Sequence, residues 1–109
     1  MEISVFLNNI KQEFLESCNL YHPNQIGNSI TIYKDENEIP ELDGFELAII
    51  GVEEDRNSFN NKGCKDAPNA IRKSLYQLFN HWKDIKIIDL GNIKTGFGIE
   101  DTYFALNKV

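Results

Sequence analysis

The chain has few of the residues on which metal, redox and nucleic-acid sites depend. Its 109 residues include two histidines, two cysteines and eleven basic residues against seventeen acidic ones. A net charge of −6 argues against nucleic acid or anionic membranes as partners, because both bind to clustered Lys and Arg. Cys18 and Cys64 show no CxxC spacing, so we expect free thiols. His22 and His81 have no second ligand at metal-binding spacing, and we expect neither to bind a metal.

Long apolar runs and nucleotide-binding motifs are also missing. No run approaches the length of a transmembrane helix, and the acid-containing residues 1–17 do not resemble a signal peptide, so we expect a cytoplasmic protein. The chain has no Gly-Lys-Ser/Thr sequence, and Glu53 and Arg56 occupy the positions where a dinucleotide fingerprint after Gly51 needs glycine. What is present is a globular composition, 41% hydrophobic and 11% aromatic, sufficient for one modest core.

The first 44 residues predict a helix, a strand and an acidic linker. Apolar residues recur at three- and four-residue steps in residues 2–17, the spacing of one helical stripe. They are Ile3, Phe6, Leu7, Ile10, Phe14 and Leu15. Residues 29–34 alternate polar and β-branched side chains, which predicts a half-buried strand. Residues 35–44 are acidic, contain Pro40 and end in Asp-Gly, which indicates a linker or turn.

Residues 45–109 predict a βαβ unit followed by a helix. Residues 47–52 and 85–90 are apolar without alternation, as strands covered on both faces of a parallel sheet are. Between them, Asp66 or Ala67 caps a helix over residues 68–82, with Pro68 in its first turn. Its predicted core face consists of Ile71, Leu75, Leu78, Phe79 and Trp82. A last helix is expected over residues 101–109. The fold class is therefore α/β, a parallel βαβ core with flanking helices.

The loop over residues 53–63 follows a buried strand directly, where α/β proteins place their ligands. Its three consecutive carboxylates, Glu53, Glu54 and Asp55, can bind a cation or steer a cationic substrate. Alternatively, the loop is solvated and its acids pair with Arg56 and Lys62.

Two further features of this region have both a structural and a functional interpretation. Asn60 and Asn61 are suited to bind a substrate carboxylate or amide, or to hold the loop through bonds to its own backbone. The guanidinium of Arg72 is suited to a bidentate contact with Glu54, Asp55 or a substrate carboxylate, or to clamping the loop to the helix.

This order of residues resembles the amino-terminal part of the ureohydrolases, the arginases, agmatinases and formimidoylglutamases. The matching residues are Gly51, Asp55, Gly63, Pro68, Ile71, Arg72, Asp89 and Gly91. The arginase-like and formimidoylglutamase-like branches are closest, although Ala67 stands where many members have glycine. The resemblance implies the N-terminal part of an arginase-like three-layer α/β/α fold. In the full-length parent it implies two Mn²⁺ ions, which activate water to hydrolyse a guanidino or amidino C–N bond of a small substrate.

The metal-binding motifs of that family, Gly-Gly-Asp-His and Asp-Ala-His-x-Asp, do not occur in this chain. We therefore expect an N-terminal segment that carries no cofactor and is not catalytic on its own, with residues 45–109 as a βαβ portion truncated at its C-terminal end. The resemblance places no catalytic or metal-binding residue here, and the substrate-cleft candidates are Glu54, Asp55, Asn60, Asn61 and Arg72. The alternative is a stand-alone α/β binding or regulatory module without enzymatic activity.

The resemblance also predicts an incomplete sheet. In the family's sheet the strand over residues 47–52 has a neighbour on each side, one of them from sequence absent here. Unpaired strand edges recruit other strands. We expect this edge to be covered by residues 29–34 or by a second copy of the chain, and we favour self-association.

Overall fold

The computed structural model describes residues 3–18, 21–34, 41–56, 63–81 and 84–109. The strands are β1 (Leu7–Asn8), β2 (Thr31–Ile32), β3 (Leu47–Val52) and β4 (Ile87–Ile93). The helices are α1 (Gln12–Ser17), α2 (Ile26–Ser29), α3 (Ala67–Leu75) and α4 (Ile99–Lys108), with short 3₁₀ turns at Ile3–Phe6, Leu42–Gly44 and Cys64–Asp66.

Strand β4 lies at the centre of a mixed sheet. β3 runs parallel to it along one side, from the pair Leu47–Ile87 to the pair Val52–Ile93. On the other side β2 pairs in parallel with the first half of β4, and β1 pairs antiparallel with its second half. Because α3 connects the parallel strands β3 and β4, the predicted βαβ core and the α/β fold class are confirmed.

Helices cover both faces of β4. Arg72 of α3 and Tyr76, the residue after this helix, contact one face through Asp89, while Ala105 of α4 belongs to the core cluster on the other. That cluster comprises Leu7, Tyr33, Ile88, Leu90, Ile93 and Ala105. A smaller cluster of Ile10, Phe14 and Tyr76 lies between α1 and α3. The arrangement has the three layers of an arginase-like α/β/α fold.

The predicted helix over residues 2–17 is wrong, because strand β1 interrupts it. Leu7 and Asn8 pair with Ile93 and Asn92 of β4, and Leu7 is fully buried there. A hydrogen bond from the Ile10 amide to the Tyr33 carbonyl (3.0 Å) also holds the chain beside the sheet. Only α1 remains of the predicted helix, since long-range pairing overrides a local helical pattern.

The strand predicted over residues 29–34 is shorter than expected. Helix α2 ends at Ser29, where the Ile30 amide donates to the Ile26 carbonyl, and β2 consists of Thr31 and Ile32 alone. β2 lies on the far side of β4 from β3, so the expectation that this segment covers the free edge of β3 is wrong. Most of the predicted linker, residues 35–40, lies outside the described residues.

The predicted core face of α3 is also wrong. Ile71 is 62% exposed and Leu78 and Phe79 are more than half exposed, whereas Arg72 is 2% exposed and Tyr76 is buried. The side of the helix that packs against β4 is polar and contacts polar residues of that strand. The spacing of the apolar residues therefore indicates the side that faces solvent. α3 ends at Leu75 rather than at residue 82, and Trp82 lies outside the described residues.

The second predicted strand is shifted toward the C-terminus, since β4 continues through Gly91 to Ile93. The expectation that β3 is covered on both faces is not met at its start, because Leu47 is 52% exposed. The last helix begins two residues earlier than expected, at Ile99, and Asp101 accepts a hydrogen bond from the Gly98 amide at its start (3.0 Å).

Candidate functional site

A bulge in β4 determines which side chains face α3. Two residues of β4, Leu90 and Gly91, stand opposite the single residue Ile50 of β3. Side chains alternate along a strand, so residues three positions apart normally face opposite sides of a sheet. The extra residue shifts this alternation by one, and Asp89 and Asn92 consequently contact the same partner on α3.

Two glycines that match the ureohydrolase pattern, Gly51 and Gly91, make this geometry possible. Gly91 has a φ of 81°, in the left-handed region, and a Cβ atom there would overlap the Asn8 carbonyl oxygen. Gly51 lets α3 approach β3, since a Cβ atom at this position would overlap the Asn92 Oδ1 atom and lie 2.8 Å from Pro68. A side chain at either position would displace the strands around the bulge.

Arg72 lies at the centre of a buried hydrogen-bond network. Its Nε and Nη2 atoms donate to the two carboxylate oxygens of Asp89, at 2.8 and 3.0 Å. Nη1 donates to Asn92 Oδ1 (2.8 Å) and to Asn69 Oδ1 (3.3 Å), and Nη2 also donates to the Gly91 carbonyl (2.7 Å). The guanidinium therefore joins α3 to both sides of the β4 bulge.

The remaining bonds of Asp89 complete the network. Its carboxylate accepts from the Tyr76 hydroxyl (2.6 Å) and from the Gly91 amide (3.0 Å). Burial, together with this bond to Asp89, raises the pKa of Tyr76 well above its ordinary value, so the hydroxyl stays protonated and donates. Among the described residues, no buried side-chain nitrogen or oxygen lacks a partner. The buried charges of Arg72 and Asp89 are thus both paired and hydrogen-bonded.

The bidentate contact predicted for Arg72 exists, but its partner is Asp89 rather than Glu54 or Asp55. At 2% exposure the guanidinium has little contact with solvent. Its assignment to a substrate cleft stays a prediction. What the geometry shows is a clamp that fixes the end of β4 against α3.

A second network lies at the start of the loop after β3. Arg56 donates through Nε and Nη2 to the carboxylate of Glu54, at 2.8 and 2.5 Å. It also donates to the Phe97 carbonyl (2.9 Å) and to the Thr102 hydroxyl in the first turn of α4 (3.2 Å). The pairing of a loop acid with Arg56, one of the two predicted alternatives, is therefore present for Glu54. Through Arg56, the loop after β3 is bonded to the segment after β4.

The electrostatics of this pair follow from its geometry. The hydrogen bonds from Arg56 lower the pKa of Glu54 to about 2, and the same carboxylate raises the pKa of Arg56. The Glu54 side chain is 6% exposed and the Arg56 side chain 40%. Glu54 is therefore a carboxylate at any pH near neutrality, and its charge is directed at Arg56.

Asp55 links the two ends of the loop. Its Oδ2 atom accepts a hydrogen bond of 2.5 Å from the amide of Gly63, the residue that begins the approach to α3. The other predicted members of the site, Asn60 and Asn61, lie outside the described residues, as does Lys62. Among the five substrate-cleft candidates, Glu54 and Asp55 lie together in the structure. Arg72 lies apart from them, in the network with Asp89 and Asn92 of β4.

The donor set of the described residues does not fit a two-metal centre. Within the described ranges there is no group of three or more His, Cys, Asp or Glu side chains that can hold a metal ion. Two of the loop's carboxylates, Glu54 and Asp55, already accept hydrogen bonds from Arg56 and the Gly63 amide. Cys18 and Cys64 are not joined in a disulfide. No helix in the described part of the chain is long and apolar enough to cross a membrane.

Fold and site together define an α/β protein with a parallel βαβ core, a bulged central strand and an anchored loop at the carboxyl end of β3. The model of the arginase family matches residues 45–109, which is more than half of the chain. The chain belongs to the arginase family, and this membership supports an origin among the ureohydrolases. No curated protein and no solved structure matches the chain.

Sequence reasoning missed the partners of Arg72. Asp89 gave a usable signal, because a carboxylate in the middle of an apolar strand needs a cationic or hydrogen-bonding partner when it is buried. Asn92 and Tyr76 gave none, since their positions depend on the bulge at Gly91 and on the side of α3 that faces the sheet.

Proposed function

We propose that this chain is the N-terminal segment of a manganese-dependent ureohydrolase that hydrolyses a guanidino or amidino C–N bond, and that it is not catalytic on its own. Membership of the arginase family supports the ureohydrolase part. The observation that carries the role of this segment is its anchored loop. Glu54 and Asp55 hold that loop at the carboxyl end of β3, where α/β proteins bind their ligands.

The loop over residues 53–62 forms, in this proposal, one wall of the substrate cleft. Asn60 and Asn61 contribute polar groups for the substrate, while Glu54 and Asp55 position the loop. Arg72 supports the cleft indirectly, because it holds β4 in place through Asp89 and Asn92. The substrate of the parent enzyme is a small amidine or guanidine such as arginine, agmatine or formiminoglutamate.

Two manganese ions would supply the activated water in such an enzyme. The described residues do not fit that centre, and its ligands belong in this proposal to sequence other than this chain. We therefore expect no tight manganese site here. Titration calorimetry with Mn²⁺ should detect no stoichiometric submicromolar binding, and a site of that affinity would contradict the assignment.

The catalytic part of the proposal is tested with the chain as it exists. Incubated with Mn²⁺ and each of the three substrates, it should release neither urea nor formamide, and turnover would show that it is an enzyme by itself.

The cleft wall is tested by NMR titration with the same compounds. Amide shifts confined to residues 53–63 support it, and Glu54→Gln should weaken them whereas Glu13→Gln, on the exposed side of α1, should not.

If none of the amide signals shifts in this titration, the result would instead fit the alternative, a binding or regulatory module without enzymatic activity.

We further propose that copies of the chain self-associate. The observation in support is the apolar side of α3 and the turn after it, where Ile71, Leu78 and Phe79 are more than half exposed.

A further inference from the structure

The Thr102 hydroxyl lies where the loop after β3 meets the segment after β4. Thr102 belongs to the first turn of α4 and is fully buried. Its Oγ1 atom accepts hydrogen bonds from the Gly96 amide (3.0 Å) and from Arg56 Nη2 (3.2 Å). The same side chain is hydrogen-bonded to Glu54, and the hydroxyl is the donor there because its partner is a carboxylate. One oxygen therefore contacts both segments.

These contacts occupy every hydrogen-bonding position of the hydroxyl group. A hydroxyl offers one donor and two acceptor positions, and Thr102 uses all three. Because the residue is fully buried, water does not reach this oxygen to replace a lost partner. Valine has the shape of threonine but none of these bonds, whereas serine can form all of them. The link between the two segments therefore depends on the oxygen rather than on the volume of the side chain.

Gly96 lets the segment after β4 approach α4 closely enough for this contact. A Cβ atom at Gly96 would overlap the Asp101 side chain. Asp101 accepts a hydrogen bond from the Gly98 amide (3.0 Å), and the Phe97 carbonyl accepts one from Arg56 Nη1 (2.9 Å). Three consecutive residues of this segment are thus each held by a hydrogen bond.

We propose that Thr102 is a positioning residue of the cleft wall, whose hydroxyl holds the loop after β3 and the segment after β4 together as one unit. The parallel pairing of β3 with β4 puts both segments at the edge of the sheet where α/β proteins bind ligands. Thr102 acts there through Glu54 and Arg56 and contacts no substrate itself. The inference rests on the proposed function in one respect, that the loop is a wall of the substrate cleft.

Two substitutions separate the hydroxyl from the shape of the side chain. Thr102→Val removes all three hydrogen bonds, whereas Thr102→Ser keeps the hydroxyl. NMR titration should show the pKa of Glu54 raised by roughly one pH unit in Thr102→Val, because the charged form loses a donor. In Thr102→Ser it should stay at about 2. Hydrogen exchange of the Gly96 amide should become roughly tenfold faster in Thr102→Val alone.

Thr31→Val is the matched control, because it makes the same substitution at an exposed position of β2. It should change neither the pKa of Glu54 nor the exchange of the Gly96 amide. An unchanged pKa of Glu54 in Thr102→Val would overturn the inference. Equal effects of Thr102→Ser and Thr102→Val would also overturn it, because they would show that the side chain acts by filling space.

Should Thr102→Val fail to fold, Glu54→Gln tests the same link from the loop. Among the contacts described above, Glu54 and the Gly96 amide share the Thr102 hydroxyl as a partner. Glu54→Gln should therefore shift the NMR signal of the Gly96 amide, whereas Glu13→Gln, on the exposed side of α1, should not. A Gly96 signal that stays in place in Glu54→Gln would contradict the link.

Titration with arginine separates this inference from the proposed function. Where arginine shifts the amides of residues 53–63, these shifts should weaken in Thr102→Val and return in Thr102→Ser, and equal shifts in both variants would contradict the positioning role. Where arginine shifts no amide of the wild-type chain, the cleft wall itself is contradicted. The pKa of Glu54 and the exchange of the Gly96 amide, both measured without ligand, then decide whether Thr102 joins the two segments.

Discussion

Asp89 illustrates how one residue sets the packing of its neighbours. It lies in the middle of β4, is fully buried, and carries a charge that α3 neutralises through Arg72. Taking both charges out of water is costly, and the pair is stable only because its remaining oxygens and N–H groups are bonded to Asn69, Tyr76, Gly91 and Asn92. The same completeness makes the pair sensitive to the loss of either member.

We predict that Asp89→Asn destabilises the chain by about 3–5 kcal/mol, because it leaves the Arg72 guanidinium buried without a counter-charge. Urea unfolding followed by circular dichroism measures the loss. Asp43→Asn is the matched control, since Asp43 is exposed, and it should change stability by less than about 0.5 kcal/mol.

Should Asp89→Asn fail to fold, the double variant Arg72→Met, Asp89→Leu still tests the argument. It removes both charges together, so it should be more stable than Asp89→Asn. A double variant that is less stable than the single one would contradict the pairing argument.

Glu54 provides a prediction for acid pH. Its pKa is lowered from 4.5 to about 2 by the Arg56 hydrogen bonds, so the folded state binds this proton less readily than the unfolded state. The contribution of Glu54 to stability is therefore fully present above about pH 4.5 and is lost as the pH falls toward 2.

The stability difference between the wild-type chain and Glu54→Gln should accordingly be constant near neutrality and should shrink between pH 4.5 and 2. Denaturant unfolding at a series of pH values measures it, and an NMR titration of the Glu54 carboxyl gives the pKa directly. A carboxyl that titrates at its ordinary value of 4.5 would show that the contact with Arg56 does not persist in solution.

At the scale of elements, the sequence predicts what local patterns determine. β3 and the start of α3 are recognisable because an apolar run and a proline in a first helical turn are local features. The bulge of β4 is not recognisable, since it depends on a register set by β3 across the sheet. The sequence predicts one helix in place of β1 and α1 for a related reason. The spacing of Leu7 fits a helix, and only its pairing with Ile93 decides for a strand.

The residues of the site divide in the same way, into those that a local sequence pattern predicts and those that depend on contacts across the sheet. Glu54 and Asp55 were identified because their position after a buried strand is a sequence property. The role of Arg72 was only half predictable, since its bidentate geometry is a property of the side chain but its partner comes from the far strand of the βαβ unit. The apolar spacing of α3 indicates its outer side as the core face, because the side that is buried is polar.

The bulge itself can be tested at Gly91. Gly91→Ala imposes a left-handed φ of 81° on alanine and pushes its Cβ atom into the Asn8 carbonyl, so we expect a loss of about 1–3 kcal/mol or more. Gly44→Ala is the matched control, because no atom lies within 4 Å of its added Cβ and its φ is not positive. The control should be close to neutral. Equal effects in thermal and urea unfolding would show that the bulge is not a fixed feature.

For the whole molecule, the distribution of exposed apolar residues is the property that the fold leaves unexplained. The outer side of α3 and the turn after it expose Ile71, Leu78 and Phe79, while Phe97 projects fully into solvent before α4. A single exposed apolar residue is ordinary, but Ile71 and Leu78 border one open groove together with Leu75, and they form a patch of the kind that mediates association. The acidic net charge of −6 opposes association at low ionic strength.

Self-association through α3 therefore has a defined signature. Sedimentation velocity from micromolar to millimolar concentration should show a shift from monomer to a larger species, more complete at high salt, where repulsion between the acidic copies is screened. Leu78→Glu should reduce this shift, because it places a charge within the contact. Phe97→Ser is the control, since it removes an even more exposed apolar residue outside the patch, and it should leave the shift unchanged. A monomer at every concentration, or equal sensitivity to both substitutions, would contradict an interface on α3. Either result would leave the exposed side of this helix without a role in association.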